Sequence, residues 1–182
     1  MPQGPAARIT DLVTHPLPPL LTGGPPATTV LIANLPAWKG IPLAMSAGIV
    51  AAQAASETAI NVAEGVAIAT AATAAATAGT PAGPAAAAAA ATARATAEAL
   101  KASSLAAMSA SIAAAAAGGA SLHVCSVPWP IPPHGPGCVI DGSSTVLIEN
   151  MPACRQGDSI VEPIGPPPNK ITMGCLTVII GG

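Results

Sequence analysis

TVLIENMPA, residues 145–153, is the stretch that decides the fold, because the chain repeats it. TVLIANLPA at residues 29–37 follows the same pattern, and TVIIGG at residues 177–182 is a shortened third copy. Each copy is a β-branched run of strand length followed by a turn signal, Asn-x-Pro or Gly-Gly. Since Asn tolerates the left-handed conformation and Pro ends strand pairing, each copy predicts a strand followed by a tight turn.

Three such units predict a small β structure with internal symmetry. A short repeat cannot bury its apolar face alone, so the units are expected to pack around a common axis. The predicted product is a compact, pseudo-threefold β domain with little room inside.

Between the first two copies the composition changes to Ala, Thr and Ser. Residues 43–79 contain no proline and end in a Gly/Pro-rich turn, and a second run covers residues 85–117. Alanine is the best helix former, and Pro84 suits a first helical turn. The sequence therefore predicts a helical hairpin with arms about 50 Å long, at a rise of 1.5 Å per residue.

The predicted fold class is mainly β with an inserted α-helical hairpin. Residues 1–42 and 120–182 form one discontinuous β domain in this interpretation, and residues 43–119 form the hairpin.

The environment of the hairpin has two interpretations. Residues 65–93 and 102–120 carry no charge, and each run is long enough to span about 30 Å of hydrocarbon. A Pro-Gly turn interrupts the first run, and Ala and Thr supply little insertion energy. The sequence leaves open a hairpin exposed to water or packed on protein, and one that enters a membrane or is shielded by a chaperone.

Composition excludes some functions. The chain has 182 residues, 8% of them charged, with two aromatic residues, Trp38 and Trp129. A formal net charge of -2 gives no basic field for nucleic acid. The small β part leaves little space for a large substrate pocket, so we expect no enzyme. The N-terminus lacks the features of a secretory signal, which predicts folding in the cytoplasm with reduced thiols.

The histidines and cysteines predict a zinc site. His15, His123 and His134 all lie outside the Ala-rich block, in Pro/Gly loops beside predicted strands. Residues two apart in a strand face the same side, so His123 and Cys125 are able to bind one ion. Imidazole and thiolate in a four-ligand set suit Zn²⁺ in a closed structural site, which would stabilise a domain with a small core.

The identity of the thiolate has two candidates. Cys125 is favoured by its spacing from His123, and Cys175 is the second candidate. Cys138 and Cys154 are interpreted as small packing residues. A zinc hydrolase using the three histidines is a distant alternative, since it needs a general base and a cleft that the sequence does not indicate.

Three segments resemble the PAAR-type proteins. AARITDLVTH at residues 6–15 matches the pattern AARxxDxxxH, and residues 122–125 with 133–137 resemble HVC…PHxGG. Residues 144–158 resemble the repeat SPTVLIxGxPAARxGD. The resemblance covers everything except the Ala-rich block.

The resemblance implies a small β cone with zinc at its apex. Proteins of this family cap the trimeric, VgrG-like spike of type VI secretion systems and related contractile injection machines. Carried over to this sequence, the implied zinc ligands are His15, His123, His134 and Cys125. The implied roles are envelope puncture and effector delivery.

Other implications concern partners and location. The base of the cone would bind the trimeric spike, and the hairpin would contact an effector, a chaperone or a membrane. An alternative is an N-terminal delivery module of a toxin effector with a chaperone-shielded hairpin. The implied location is the bacterial cytoplasm before firing, then secretion or delivery with the spike.

The sequence departs from the family pattern at three places. Cys154 stands where Ala is usual, and Lys39 follows Trp38 where Ala-Arg is expected. Residues 159–163 replace a Cys-rich segment, which weakens any ligand assignment in the third repeat.

Overall fold

A computed structural model describes residues 3–14, 20–128, 133–163 and 169–182. For residues 125–128 and 133–134 it describes the backbone alone. His15 and Trp129, both singled out from the sequence, lie outside the described residues.

The Ala-rich block forms two long antiparallel helices, α1 (Leu43–Ala76) and α2 (Gly83–Ala116). Pro84 lies in the first turn of α2, where its missing N–H costs no hydrogen bond. The Nζ of Lys101 on α2 lies 2.5 Å from Oε1 of Glu64 on α1, so an ion pair joins the two helices. The predicted helical hairpin is confirmed.

The hairpin is anchored at its open end and exposed along its outer part. Ile49 of α1 and Met108 and Ile112 of α2 are buried in one cluster with Ile41 and Met151 of the β part. Further out on α1, three aliphatic side chains are between 53% and 71% exposed: Val62, Val66 and Ile68. Both helices are long and apolar enough to cross a membrane, judged by length and composition.

The described residues form eleven short strands in addition to the helices. They are β1 (Gly4–Ala6), β2 (Gly23–Gly24), β3 (Leu31–Ile32), β4 (Leu35–Pro36), β5 (Leu122–Pro128), β6 (Pro133–Val139), β7 (Leu147–Ile148), β8 (Met151–Pro152), β9 (Ser159–Val161), β10 (Asn169–Lys170) and β11 (Cys175–Ile180). An antiparallel sheet has the order β10-β9-β6-β5-β2, and β1–β11, β3–β4 and β7–β8 form separate pairs. Because the helices hold more residues than these strands, the chain is a mixed α and β protein with a helical hairpin, rather than mainly β.

One more segment lies near both edges of the five-stranded sheet. Leu12 bridges Leu20, which precedes β2, and Val13 bridges Ile171, which follows β10. The segment around Leu12 and Val13 therefore pairs with residues next to both edge strands of this sheet.

Both full copies of the repeated stretch form two-residue hairpins. Asn34 and Asn150 have φ of 66°, and the residues before them, Ala33 and Glu149, have φ of 48° and 51°. Two consecutive residues with positive φ are typical of a type I′ turn, whose twist matches the flanking strands. The predicted strand and tight turn are confirmed for these copies.

Three repeats exchange backbone hydrogen bonds in a closed cycle. The N–H of Ala7 donates to the carbonyl of Cys154, that of Cys154 to Trp38, and that of Trp38 to Ala7, over 2.9, 3.1 and 2.9 Å. All three residues are fully buried. We refer to the segments around Ala7, Trp38 and Cys154 as repeats 1, 2 and 3.

A second cycle of hydrogen bonds runs through the three repeats in the opposite order. It consists of Ile9 N to Pro36 O, Gly40 N to Pro152 O and Gln156 N to Pro5 O. Equivalent backbone positions in the three repeats therefore have equivalent partners.

Candidate functional site

Repeats 1 and 3 contain the same carboxylate turn. Asp11 Oδ2 accepts the N–H of Arg8 at 2.7 Å, and Asp158 Oδ2 accepts that of Arg155 at 2.9 Å. Each carboxylate also binds the guanidinium of its own arginine. Asp11 and Asp158 therefore cap their own turns.

Repeat 2 builds the same turn from residues on either side of the hairpin. Ser121 Oγ accepts the N–H of Lys39 at 3.2 Å, and the Ser121 N–H donates to the Lys39 carbonyl at 2.9 Å. The corresponding Asp11 and Asp158 N–H groups donate to the carbonyls of Arg8 and Arg155. Ser121 is therefore the equivalent of the two aspartates, and the helices are inserted within this turn.

The Lys39 side chain binds a different carboxylate. Its Nζ lies 2.5 Å from Oε2 of Glu149 in repeat 3, and Oε1 of Glu149 accepts the N–H groups of Thr28 and Thr29 at 2.7 and 2.8 Å. The Lys39 hydrogen bond is the main reason that the pKa of Glu149 is well below its ordinary value, followed by those from Thr29. Glu149 thus connects repeat 3 to repeat 2.

His123 is the predicted zinc ligand whose side chain the structure describes. It lies on β5 and is 1% exposed, opposite Gly137 of β6. Its Nδ1 is 3.5 Å from the backbone nitrogen of Thr22. Its Nε2 is 3.9 Å from Oε1 of Glu162, which is 5% exposed. A buried imidazole and a buried carboxylate therefore lie close to each other.

This pair fits a zinc ion chemically. Neutral imidazole and carboxylate are both common zinc ligands, and burial suits a closed structural site. Among the side chains that the structure describes, no group of three or more His, Cys, Asp or Glu residues comes together. The pair would therefore hold the ion with ligands from outside this described set.

Two of the other predicted ligands have described backbone positions. Cys125 lies two residues beyond His123 on β5 and pairs with Gly135, the neighbour of His134 on β6. Strand pairing thus brings the backbones of His123, Cys125 and His134 to one part of the β5–β6 hairpin. The fourth predicted ligand, His15, lies outside the described residues.

The other three cysteines are buried in hydrophobic clusters. Cys138 and Cys154 are 1% and 0% exposed, and burial raises the pKa of Cys138 to about 12 and that of Cys154 well above its ordinary value. Their interpretation as packing residues is confirmed. Cys175, the second candidate thiolate, lies in an aliphatic cluster with Ala6 and Ile180, 3.2 Å from the hydroxyl of Thr177.

A second feature lies on the paired strands β1–β11, β3–β4 and β7–β8. Leu31, Leu147 and Ile179 are 60%, 59% and 58% exposed. Each pairs with the proline at the start of a PA motif, in the order Pro36, Pro152 and Pro5. The next residue in each strand, Ile32, Ile148 or Ile180, is buried. Three equivalent aliphatic side chains therefore face solvent, and we call them the apolar triplet.

Sequence reasoning did not identify Glu162 or the apolar triplet. Glu162 belongs to the segment that departs from the family pattern, so the resemblance drew no attention to it. An alignment of the repeats on the Arg–Asp turn would have compared Glu162 with His15 and Cys125. That alignment was hidden because the helical insertion separates Lys39 from Ser121.

Residues 131–182 match a family model described as the PAAR motif. The chain therefore carries a PAAR motif in its C-terminal part, and the recognition of a PAAR-repeat protein is confirmed there. The N-terminal pattern at residues 6–15 lies outside the match. No curated protein and no solved structure gives a significant match to the chain.

Proposed function

We propose that this protein is the tip that caps a trimeric, VgrG-like spike of a type VI secretion system or a related contractile injection machine. The PAAR motif at residues 131–182 supports a spike-tip or effector-associated role. The observation that carries the proposal is the apolar triplet, because three equivalent aliphatic side chains on one chain match the symmetry of a trimer.

The geometry of the triplet favours a docking surface. Each of its members lies on a two-stranded ladder, paired with a proline that cannot donate a hydrogen bond to a neighbouring strand. An apolar side chain that is nearly 60% exposed gains free energy when a partner removes it from water. Docking would bury three such side chains at once, one against each subunit of the spike.

A binding experiment tests this docking surface. We expect one chain to bind per trimer of the cognate spike protein, measured by size-exclusion chromatography with light scattering. Replacing the triplet, Leu31→Asp, Leu147→Asp and Ile179→Asp together, should abolish the complex because it places charge in an apolar interface. The matched control is Val62→Asp, Val66→Asp and Ile68→Asp on α1, which are similarly exposed and should leave binding unchanged. Equal binding by both triple variants would contradict the proposal.

The zinc ion in this proposal has a structural role at the apex of a pseudo-threefold β cone. Its predicted ligand His123 is 1% exposed, which suits a closed site rather than the open coordination position of a hydrolase. PAAR domains are structural tips rather than enzymes, which agrees with this role. The ion would hold together segments that have little apolar core of their own.

Delivery follows from the same role. A chain that folds in the bacterial cytoplasm and binds the spike would leave the cell with it when the machine fires. An effector or its chaperone would bind through the hairpin, whose outer part has exposed aliphatic side chains. Immunoblotting of culture supernatants from firing and non-firing strains tests this location, and equal amounts in both would contradict it.

A second candidate function is insertion of the hairpin into a membrane. It is favoured by the length and hydropathy of both helices and by the exposure of Val62, Val66 and Ile68. Residues 65–93, the distal half of the hairpin, carry no charge. Flotation of the full chain with liposomes tests this function. Insertion predicts that the wild type floats and that Val66→Asp with Ile68→Asp does not, and a wild type that stays at the bottom of the gradient would contradict it.

A further inference from the structure

We propose that the outer end of the helical hairpin enters a single leaflet of a lipid bilayer, with the turn between α1 and α2 leading. This inference rests on the second candidate function, insertion of the hairpin, and specifies its depth and direction. The part that enters is residues 65–93, which we call the uncharged segment because it contains no Asp, Glu, Lys or Arg.

The exposed aliphatic side chains of α1 point in different directions. Val62, Val66 and Ile68 are 63%, 53% and 71% exposed. At about 100° per residue, Val66 lies about 40° around the helix from Val62, whereas Ile68 lies about 160° from Val66. A rigid protein surface packs against one side of a helix and would leave Val66 or Ile68 uncovered. Lipid chains cover a helix on every side, so a bilayer fits this pattern better than a protein groove.

The polar side chains of the uncharged segment are hydrogen-bonded within the hairpin. They are all threonines, and each hydroxyl donates to a backbone carbonyl of its own helix or turn. The bonds run from Thr70 to Val66, Thr73 to Ala69, Thr77 to Thr73, Thr80 to Thr77 and Thr92 to Ala88, over 2.7–3.1 Å. A hydroxyl without a partner is costly in hydrocarbon, where no water replaces it. These hydroxyl groups therefore need no water when the segment leaves it.

The leading turn also has internal backbone hydrogen bonds. The N–H groups of Ala78, Thr80 and Gly83 each donate to the carbonyl three residues earlier, over 3.3, 3.0 and 3.0 Å. Pro81 has no N–H group to satisfy. The turn thus satisfies these donors without water, as entry into hydrocarbon requires.

Charged residues set the depth of entry. The uncharged segment is bounded by Glu64 on α1 and Arg94 on α2. Its helical parts, residues 65–76 and 83–93, are about 18 and 17 Å long at a rise of 1.5 Å per residue. Since the hydrocarbon core is about 30 Å thick, the turn would reach about its midplane. A hairpin that crossed the whole core would place Glu64 and Arg94 near the centre, where charged side chains are costly.

The uncharged segment lies far from the apolar triplet. Gly118, just beyond α2, lies against the side chain of Met151, on the ladder that contains Leu147. From there α2 runs along β6, where a Cβ on Gly135 would lie 3.5 Å from Cδ1 of Leu105. The rest of α2, residues 83–104, extends about 33 Å further. A chain bound to the spike through the triplet would therefore keep the uncharged segment free to enter a bilayer.

Cysteine labelling of the full chain with phosphatidylcholine vesicles measures the depth. Ala78→Cys places a thiol in the leading turn, Asn61→Cys places one on α1 outside the uncharged segment, and the wild type gives the background of the native cysteines. A membrane-impermeant maleimide is either added outside the vesicles or trapped in their lumen. We expect Ala78→Cys to react in buffer but to be protected from both reagents in vesicles. Asn61→Cys should react from outside in both conditions.

Two results of this labelling would overturn the inference. Reaction of Ala78→Cys with the reagent in the lumen would show that the hairpin spans the bilayer. Its reaction with the external reagent in the presence of vesicles would show that the turn does not enter.

Matched lysine substitutions separate lipid entry from a change of fold. Ala72→Lys introduces a charge within the uncharged segment, and Asn61→Lys introduces the same charge outside it, both at exposed helical positions. We expect Ala72→Lys to reduce the partition into vesicles by about tenfold or more, and Asn61→Lys to match the wild type. Both should keep the helical circular dichroism of the wild type. Equal partition of the two variants would contradict entry of residue 72 into hydrocarbon.

The outcomes for this inference and for the proposed functions are distinguishable. A wild type that does not float with liposomes would overturn insertion together with its depth, whereas spike binding is measured without vesicles. A wild type that floats, with Ala78→Cys labelled from the lumen, would overturn the single-leaflet depth alone. The triplet variant, with Leu31→Asp, Leu147→Asp and Ile179→Asp, should float as the wild type does.

Discussion

Glu149 shows how a single residue connects two repeats. Its two oxygens bind groups of repeat 2 and the segment before it, namely the Lys39 ammonium and the N–H groups of Thr28 and Thr29. The Lys39 side chain is 4% exposed, so it depends on this carboxylate for its charge compensation. Glu149 occupies a turn position in repeat 3, and Ala33 occupies the equivalent position in repeat 2. Because alanine has no carboxylate, only one of the two full copies makes this connection.

The pH dependence of stability should reveal this connection. The folded pKa of Glu149 is below its ordinary value of 4.5, so its contribution is fully present above about pH 4.5 and is lost as the pH falls towards the folded pKa. We expect Glu149→Gln to unfold at lower denaturant concentration than the wild type at pH 7, and the difference to shrink below pH 4.5. Urea titrations at pH 7, 5 and 3 measure this.

The control for this prediction is another glutamate beside a lysine. Glu98 is 66% exposed and 3.7 Å from Lys101, so Glu98→Gln should have almost no effect on stability at any of the three pH values. A difference between Glu149→Gln and the wild type that grows as the pH falls would contradict the assignment.

At the scale of elements, the helical hairpin has a buried part and an exposed part along its length. Near the β part it belongs to the core, where Ile112 is fully buried with Ile41 and Met151. Farther out its aliphatic side chains face solvent, as Ile68 does at 71% exposure. Only the anchored part therefore contributes to the stability of the β structure.

Matched substitutions measure this difference. We expect Ile112→Ala to lower the free energy of unfolding by about 2–5 kcal/mol, since it leaves a cavity in the shared cluster. Ile68→Ala should change it by less than about 0.5 kcal/mol. Guanidinium denaturation followed by circular dichroism gives both values. If Ile112→Ala lowered the free energy of unfolding as little as Ile68→Ala does, the open end of the hairpin would not contribute to the core.

The elements were largely predictable because local signals fixed them. The Pro-free alanine run and Pro84 predicted the boundaries of the helices to within a few residues, and Asn34 and Asn150 predicted the tight turns. The turn of Lys39 and Ser121 was not predictable, because its halves are far apart in sequence and Ser replaces Asp. For the same reason the position of Glu162 relative to His123 required the structure.

At the scale of the whole molecule, the two proposed functional regions depend on all three repeats. The apolar triplet takes one residue from each ladder, and the proposed zinc site takes donors from different repeats. Neither feature can be assigned to a contiguous part of the chain. This is why residues 131–182, the part matched by the family model, contain only some of the proposed ligands and two members of the triplet.

Thermal stability should therefore depend on zinc. A ligand at 100 times its dissociation constant stabilises the folded state by about 2.7 kcal/mol, which raises the Tm by about 5–10 °C for a chain of this size. Differential scanning calorimetry of the wild type with zinc and with a chelator measures the shift. His123→Gln should show the same Tm in both conditions, and a zinc-independent Tm of the wild type would contradict the structural role of the ion.

The pairing of β1 with β11 has a consequence for synthesis in the cell. Gly4 pairs with Ile180, so β1 is made long before the strand with which it pairs. At about 5–20 residues per second this delay is about 10–30 s. The contacts between the arms of the helical hairpin join residues closer in sequence than β1 and β11, so the hairpin is able to form within that time, whereas the three repeats close their ring only once β11 has been made. A nascent chain therefore carries a finished hairpin on an open ring, and any partner that protects the unpaired first strand has to act during those seconds.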